Sequence, residues 1–334
     1  MAYGLRALRR IQFTDETTAG TAVATTTAIW RGTGLLTDAR VIKDVPEDLG
    51  SLQKQNRKYQ PQVGATIKLD KTPATFEQLP YIFAMGIDDD ANTGTVDGTG
   101  GSDYIYTATL PTTSTNTPKS FTFEVGDNVR ADEAAYVFCS EFTLSGAKND
   151  AVMMEATLMG RQATDCEFSA TITTPTVEEI LFNKGALYLH TSTFGSGQIT
   201  GSFIGFTLNV KTGFQPVFTG DGNVYFYTVK QVAPVVTGTL VLEHDDNGED
   251  ELNHARSEDT RFMRLTFQGS AQTTAGSGSA WSYKTLQVDL GIVYTAVPTM
   301  EEQEGDNVIT LPFEMVNVTS GGVLTCVNEL SALP

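Results

Sequence analysis

The chain has 334 residues, 40% hydrophobic and 19% charged, with 40 acids against 22 bases and a net charge of −18. That is enough apolar material for a sizeable core, and too little charge for a disordered acidic tail. An acidic surface repels phosphate and argues against gripping DNA, and three scattered cysteines (Cys139, Cys166, Cys326) form neither a disulfide framework nor a zinc site.

The length fits two ordinary domains or one large β domain. The cysteine usage suits a reducing cytoplasm. The opening MAYGLRALRRIQF is basic but lacks a secretory apolar core, and no apolar run approaches the ~20 residues of a membrane span.

Residues 1–28, basic and then Thr/Ala-rich, read as an extended arm. Residues 41–59 read as a long exposed loop or extended hairpin, or equally as a disordered insertion. Residues 65–70 alternate, with Ala65, Ile67 and Leu69 on one face and Thr66, Lys68 and Asp70 on the other, which predicts a half-buried strand. Thr75 and Gln78 have the spacing of a capping box, and Phe76, Leu79, Ile82 and Phe83 have helical spacing up to Gly86. Strands are predicted over 104–110, 120–125, 135–145 and 151–161. In the third, Tyr136, Phe138, Ser140, Phe142 and Leu144 share a face, opposite Glu141 and Thr143. Met153, Met154 and Met159 read as core filler. Residues 173–176 form a linker.

The second half repeats this plan. Residues 29–79 fall on 202–252 at an offset of 173 without a gap, with seven identities in 51 pairs, among them Leu35/Leu208, Thr66/Thr239 and Leu69/Leu242. Residues 186–191 answer 11–16, and 250–260 answer the helix. Residues 261–267 answer 104–110, and 285–292 with 308–316 close the unit as a strand pair. The expected fold is mainly β: two tandem β-sandwich or partial-barrel domains, each with one flanking helix. Their bounds are 29–175 and 176–334, after the arm 1–28. Tandem copies suit a part that fills equivalent positions in an assembly.

Catalytic signatures are absent. The sequence has no P-loop, no G-x-S-x-G and no H-E-x-x-H. Two acidic runs, 88–90 and 243–251, lack the alternating ladder of a calcium loop and read as solvated turns, the second at a helix N-terminus. Glu141 and Glu155 on neighbouring strands could suggest glycoside hydrolysis. With only Trp30 and Trp281, however, no aromatic sugar platform is visible. The chain is read as a non-enzyme that holds no cofactor and no metal.

The segments YQPQVGATIKLDKTPATFEQLPYIFAMGI, SFTFEVGDN and FTLSGAKNDAVMMEATLMGR resemble the major tail tube proteins of long-tailed, non-contractile bacteriophages. GFTLNVKTGFQPVF and VTGTLVLEHDD are similar to the same kind of protein. The resemblance implies rings whose inner strands join round an acidic lumen and stack into a tube in the virion tail, assembled in the host cytoplasm. It also implies a tape measure protein, a tail tip and a terminator as partners, with DNA passing non-specifically and no membrane. Duplication would let three chains replace a ring of six, although an ordinary hexamer is also open. On that reading the polar faces of the long strands line the lumen: Glu141, Thr143, Glu155 and Thr157 in the first unit, and Gln287, Asp289 and Glu314 in the second. The alternatives are a tail terminator or completion ring, a capsid decoration protein and a carbohydrate-binding β-sandwich.

Overall fold

The structure, a computed structural model, describes residues 3–53, 57–169, 172–274, 276–298, 300–303, 305–318 and 321–331. The first half holds β1 (Arg10–Asp15), β2 (Ala28–Ile29), β3 (Gly34–Asp38), β4 (Val41–Asp44), β5 (Lys58–Gln62), β6 (Ala65–Pro73), α1 (Leu79–Gly86), β7 (Thr95–Val96), β8 (Tyr104–Thr109), β9 (Phe121–Gly126), β10 (Ala131–Ala147), β11 (Met153–Gly160) and β12 (Ala163–Cys166). The second holds β13 (Gly185–His190), β14 (Gln198–Ile199), β15 (Phe203–Lys211), β16 (Phe214–Val217), β17 (Thr228–Gln231), β18 (Val235–Glu243), α2 (Asp246–Arg256), β19 (Arg261–Ala271), β20 (Tyr283–Tyr294), β21 (Met300–Gln303), β22 (Asp306–Met315) and β23 (Val323–Asn328). The fold is mainly β, and all its strand pairs are antiparallel, as short alternating segments joined by turns require.

The same wiring occurs twice. β1 pairs β2 and β9, β9 pairs β10, β10 pairs β11, β11 pairs β6, and β6 pairs β3. Correspondingly, β13 pairs β14 and β19, β19 pairs β20, β20 pairs β22, β22 pairs β18, and β18 pairs β15. Hairpin β4–β5 stands where hairpin β16–β17 stands. The main strands form one system wrapped round a single hydrophobic core, which runs from Ile11 and Phe13 through Phe142 and Leu208 to Leu324.

The registers correct four expectations. First, the repeat needs a gap. β6 and β18 keep the offset of 173, since Thr66 and Thr239 hold the same place. Their partners are Thr37 and Thr207, so β3 and β15 match at an offset of 170. Leu36 therefore answers Phe206, both buried, and Leu35 does not answer Leu208. Second, β19 answers β9, because each lies between the first strand of its half and the long strand. β8 pairs the C-terminal β23 instead. Third, the segment expected as an arm contributes a core strand, β1, with Ile11 and Phe13 buried. Fourth, α1 starts at Leu79, with Pro80 in its first turn and no side-chain cap. Proline disfavours helix in the residues before it, so Thr75 bridges Glu179 instead of capping. The acidic run does form a helix start: α2 begins at Asp246 with Asp245 as N-cap.

β10 needs two irregularities, at Ala134/Val137 and Cys139/Glu141, and Tyr136 adopts φ 53°. These bulges exchange the faces of the strand. Phe142 and Leu144 enter the main core, whereas Phe138 joins Phe214 and Phe226 in a second cluster that Tyr136 and Met159 pack against. Of the three methionines, only Met154 is fully buried in the main core.

Candidate channel face

One hydrogen-bonded ladder runs β3–β6–β11–β10–β15–β18–β22. It joins the halves at the seam β10–β15, where Glu141 lies opposite Lys211, Thr143 opposite Asn209 and Ser145 opposite Thr207. Alternation gives the ladder two faces. Ile67, Leu69, Ala156, Leu158, Phe142, Leu144, Leu208, Leu240 and Leu311 point into the core. The other face is half-exposed and polar.

Five of the expected residues meet on that face. Glu141 lies opposite Thr157, and Thr143 opposite Glu155. Glu314 lies at its far end, opposite Thr237, which in turn faces Asn209. Asn209 donates its amide to the Thr143 hydroxyl at 3.0 Å. A shallow depression of about 150 Å³ is lined by Lys68, Glu141, Thr143, Glu155, Thr157 and Asn209. Its charges are mixed: Lys68 faces Thr157 across the ladder, and Lys211 faces Glu141. Adding Asp70, Lys71 and Glu243, the face carries five carboxylates against three ammonium groups. The rest is mostly hydroxyl and amide.

Gln287 and Asp289 do not join them. β20 pairs β19 and β23 over most of its length and reaches β22 only at Ile292–Tyr294. Both residues thus sit beside β19 and β23, away from the seven-strand ladder. There Asp289 is held by Arg264 in a two-pronged ion pair at 2.6 and 2.7 Å and accepts from the Gln287 amide at 3.0 Å. Alternation alone does not tell which sheet a strand joins. Lys68 stands where it is expected, on the polar side of its strand, whereas Asn209 and Lys211 are not among the expected residues. Their signal was the alternation in FIGFTLNVK.

Chemically reactive groups are scarce among the described residues. Burial pushes the Cys139 and Cys326 thiols well up. Burial, reinforced by Glu124, Glu133, Asp132 and Asp165, pushes Cys166 up to about 12. None offers a thiolate at neutral pH. Glu251, in the acidic run, is buried in an ion pair with Arg261 and accepts from the Tyr294 hydroxyl at 2.6 Å. Asp88 caps a short 3-10 turn. What the ladder offers is a broad, half-exposed polar face of mixed charge. No helix among the described residues is long and apolar enough to cross a membrane.

A family model described as "Phage tail tube protein" matches residues 7–316. No curated protein matches the chain.

Proposed function

Because the chain belongs to the phage tail tube protein family, we propose that its copies close into rings and stack into the tube through which the genome leaves. Membership makes the chain a structural component of the virion tail, one that associates with itself and with other tail proteins. The finer reading rests on one observation: a ladder of seven strands with one apolar and one polar face, assembled from two halves that repeat each other's wiring.

On this reading each half is one domain, with the division near residue 175, and three chains supply the six places of a ring. Glu141, Thr143, Glu155 and Thr157 line the channel. The chain acts without catalysis. Its acids repel the duplex, and Lys68 and Lys211 moderate the field, so DNA passes without base readout or tight phosphate contact. The remaining partners are a tape measure protein inside the growing tube, a tail tip that nucleates it and a terminator that stops it.

Negative-stain electron microscopy over a concentration series tests the proposal. Tubes with a regular axial repeat, a stained channel and three-fold or six-fold end views are expected. Isolated rings that never stack would instead support a terminator. In phage carrying Glu141→Lys with Glu155→Lys, tubes should form and ejection should slow. Unchanged ejection kinetics would remove these residues from the channel wall.

A further inference from the structure

Asp103 stands apart from the other buried acids. It is 0% exposed, and neither of its carboxylate oxygens has a hydrogen-bond partner. The others are all held. Glu16 accepts from the N–H groups of Gly20 and Tyr136, and Glu124 from Ser169. Glu77 pairs with Lys284, Glu251 with Arg261 and Asp289 with Arg264. A buried charge is ordinarily paired or bound to a metal, and an unsatisfied buried carboxylate calls for one of these or for a proton.

Asp103 closes a glycine-rich loop that runs from Asp97, after β7, to the start of β8. The Asp97 N–H donates to the Asp103 carbonyl at 2.9 Å, which brings the loop's two acids to one end. Gly98 and Gly100 make this turn possible at φ 78° and 76°. The loop is clasped to the one between β19 and β20: Thr99 and Ser277 exchange two backbone hydrogen bonds, both of 3.0 Å. Asp97 accepts from the Ser279 hydroxyl at 2.8 Å and from the Ala280 and Trp281 N–H groups at 3.0 and 2.8 Å. Ser279 stands beside Asp103 as well, but its one hydroxyl hydrogen goes to Asp97. The charge of Glu329, just past β23, also acts on Asp103, and Glu329 is fixed by the N–H and hydroxyl of Thr273. Lys284, whose charge reaches Glu329, is already paired with Glu77 and Glu178. Three acids from two chain segments thus meet with no cation of their own among the described residues.

We propose that this clasp binds a divalent, oxygen-seeking cation of the calcium class. Asp103 offers both carboxylate oxygens, with Asp97, the Ser279 oxygen and carbonyls of the glycine-rich loop as further donors. Calcium suits such a set better than magnesium, because loop oxygens need not meet a strict octahedron. The ion supplies the positive charge that Asp97, Asp103 and Glu329 lack. It also ties the loop before β8 to the loop before β20 and to the end of β23, and so fastens the first half to the second. The acidic runs of the sequence are separate from it: Asp88, Asp89 and Asp90 form a short 3-10 turn, and the group Asp250, Glu251 and His254 contains the acid paired with Arg261. The site belongs to the single chain and is independent of ring closure.

Melting of the EDTA-stripped full chain against added Ca2+ tests this. A saturable rise of about 3–6 °C is expected at about a hundredfold excess over Kd, with a weaker response to Mg2+. Tb3+ should give emission sensitised by Trp281, whose N–H binds Asp97, and Ca2+ should displace it. Asp103→Asn keeps the shape and removes the charge. It should abolish both responses, yet in EDTA melt no lower than wild type, since an unpartnered buried acid is gone. Glu329→Gln, which removes only a neighbouring charge, should weaken Ca2+ binding several-fold. Asp88→Asn with Asp250→Asn should leave both responses intact. A wild-type chain that answers neither Ca2+ nor Tb3+, or responses that survive Asp103→Asn, would overturn the site. In the first case, a higher melting point for Asp103→Asn would show that Asp103 is held as a neutral acid.

Discussion

The helices α1 and α2 hold the same place in the two halves and have opposite character. α1, LPYIFAMG, is buried at all eight positions. α2, DNGEDELNHAR, buries only Gly248, Glu251, Leu252 and Ala255. The difference follows from position. α1 lies between its own half and the returning C-terminal strand, and packs against β8, β10 and β23. Asn328 donates to the Phe76 carbonyl just before α1 at 2.9 Å. α2 lies at the outer end of the ladder against β18 and β22, and only its Glu251 side chain is seen to reach further, to Arg261 of β19 and Tyr294 of β20. The two halves share their wiring, while the composition of each helix follows its surroundings.

The comparison can be broken most directly at the cores of the two helices. Phe83→Ala in α1 should destabilise by about 3–5 kcal/mol, read from denaturant midpoints, whereas Leu252→Ala in α2 should cost about 2 kcal/mol because the rim can relax. Equal losses would mean that α2 is as well packed as α1. A loss in the upper range is also expected for Glu251→Ala, about 3–5 kcal/mol, since it strands buried Arg261 without its partner. Glu251→Ala with Arg261→Met should recover most of that loss. Failure to recover would show that the acid has a role beyond neutralising the arginine.

The smallest effect sharpens the comparison through the cap, which α2 has and α1 lacks. Burial pushes the Asp245 carboxyl up, but hydrogen bonds from the Ser202 hydroxyl, the Gly248 N–H and Asn247 outweigh it and hold it below the usual carboxylate range. Its contribution is therefore present above the unfolded carboxylate pKa of about 4 and is lost as pH falls through the lower folded value. Asp245→Ala should cost about 1 kcal/mol at pH 7 and progressively less in acid. A cost independent of pH would refute the charged cap.

Legibility from sequence followed periodicity. The strand 65–70 could be read because one face meets the core and the other meets solvent, and the same alternation found Glu141, Thr143, Glu155 and Thr157. It failed wherever a strand changes allegiance. β10 serves two sheets, and β20 changes partner from β23 to β22 along its length, so Phe138 left the face of Phe142, and Asp289 lies apart from Glu314. The ungapped repeat hid a shift of three residues, because the hairpins between β3 and β6 and between β15 and β18 absorb different lengths. β21, MEEQ, has no alternation to read: it is an exposed edge.

The pairing of β8 with β23 also orders events during synthesis. Thr109 meets Val323, so β8 waits roughly two hundred residues for this partner. At about 5–20 residues per second the ribosome takes roughly 10–40 s to supply it. Until then the first half lacks one wall of its core, and α1 lacks the strand that covers it. The late arrival of β23 thus acts as a completion mark, and a chain truncated before it is left with an apolar breach in its first half.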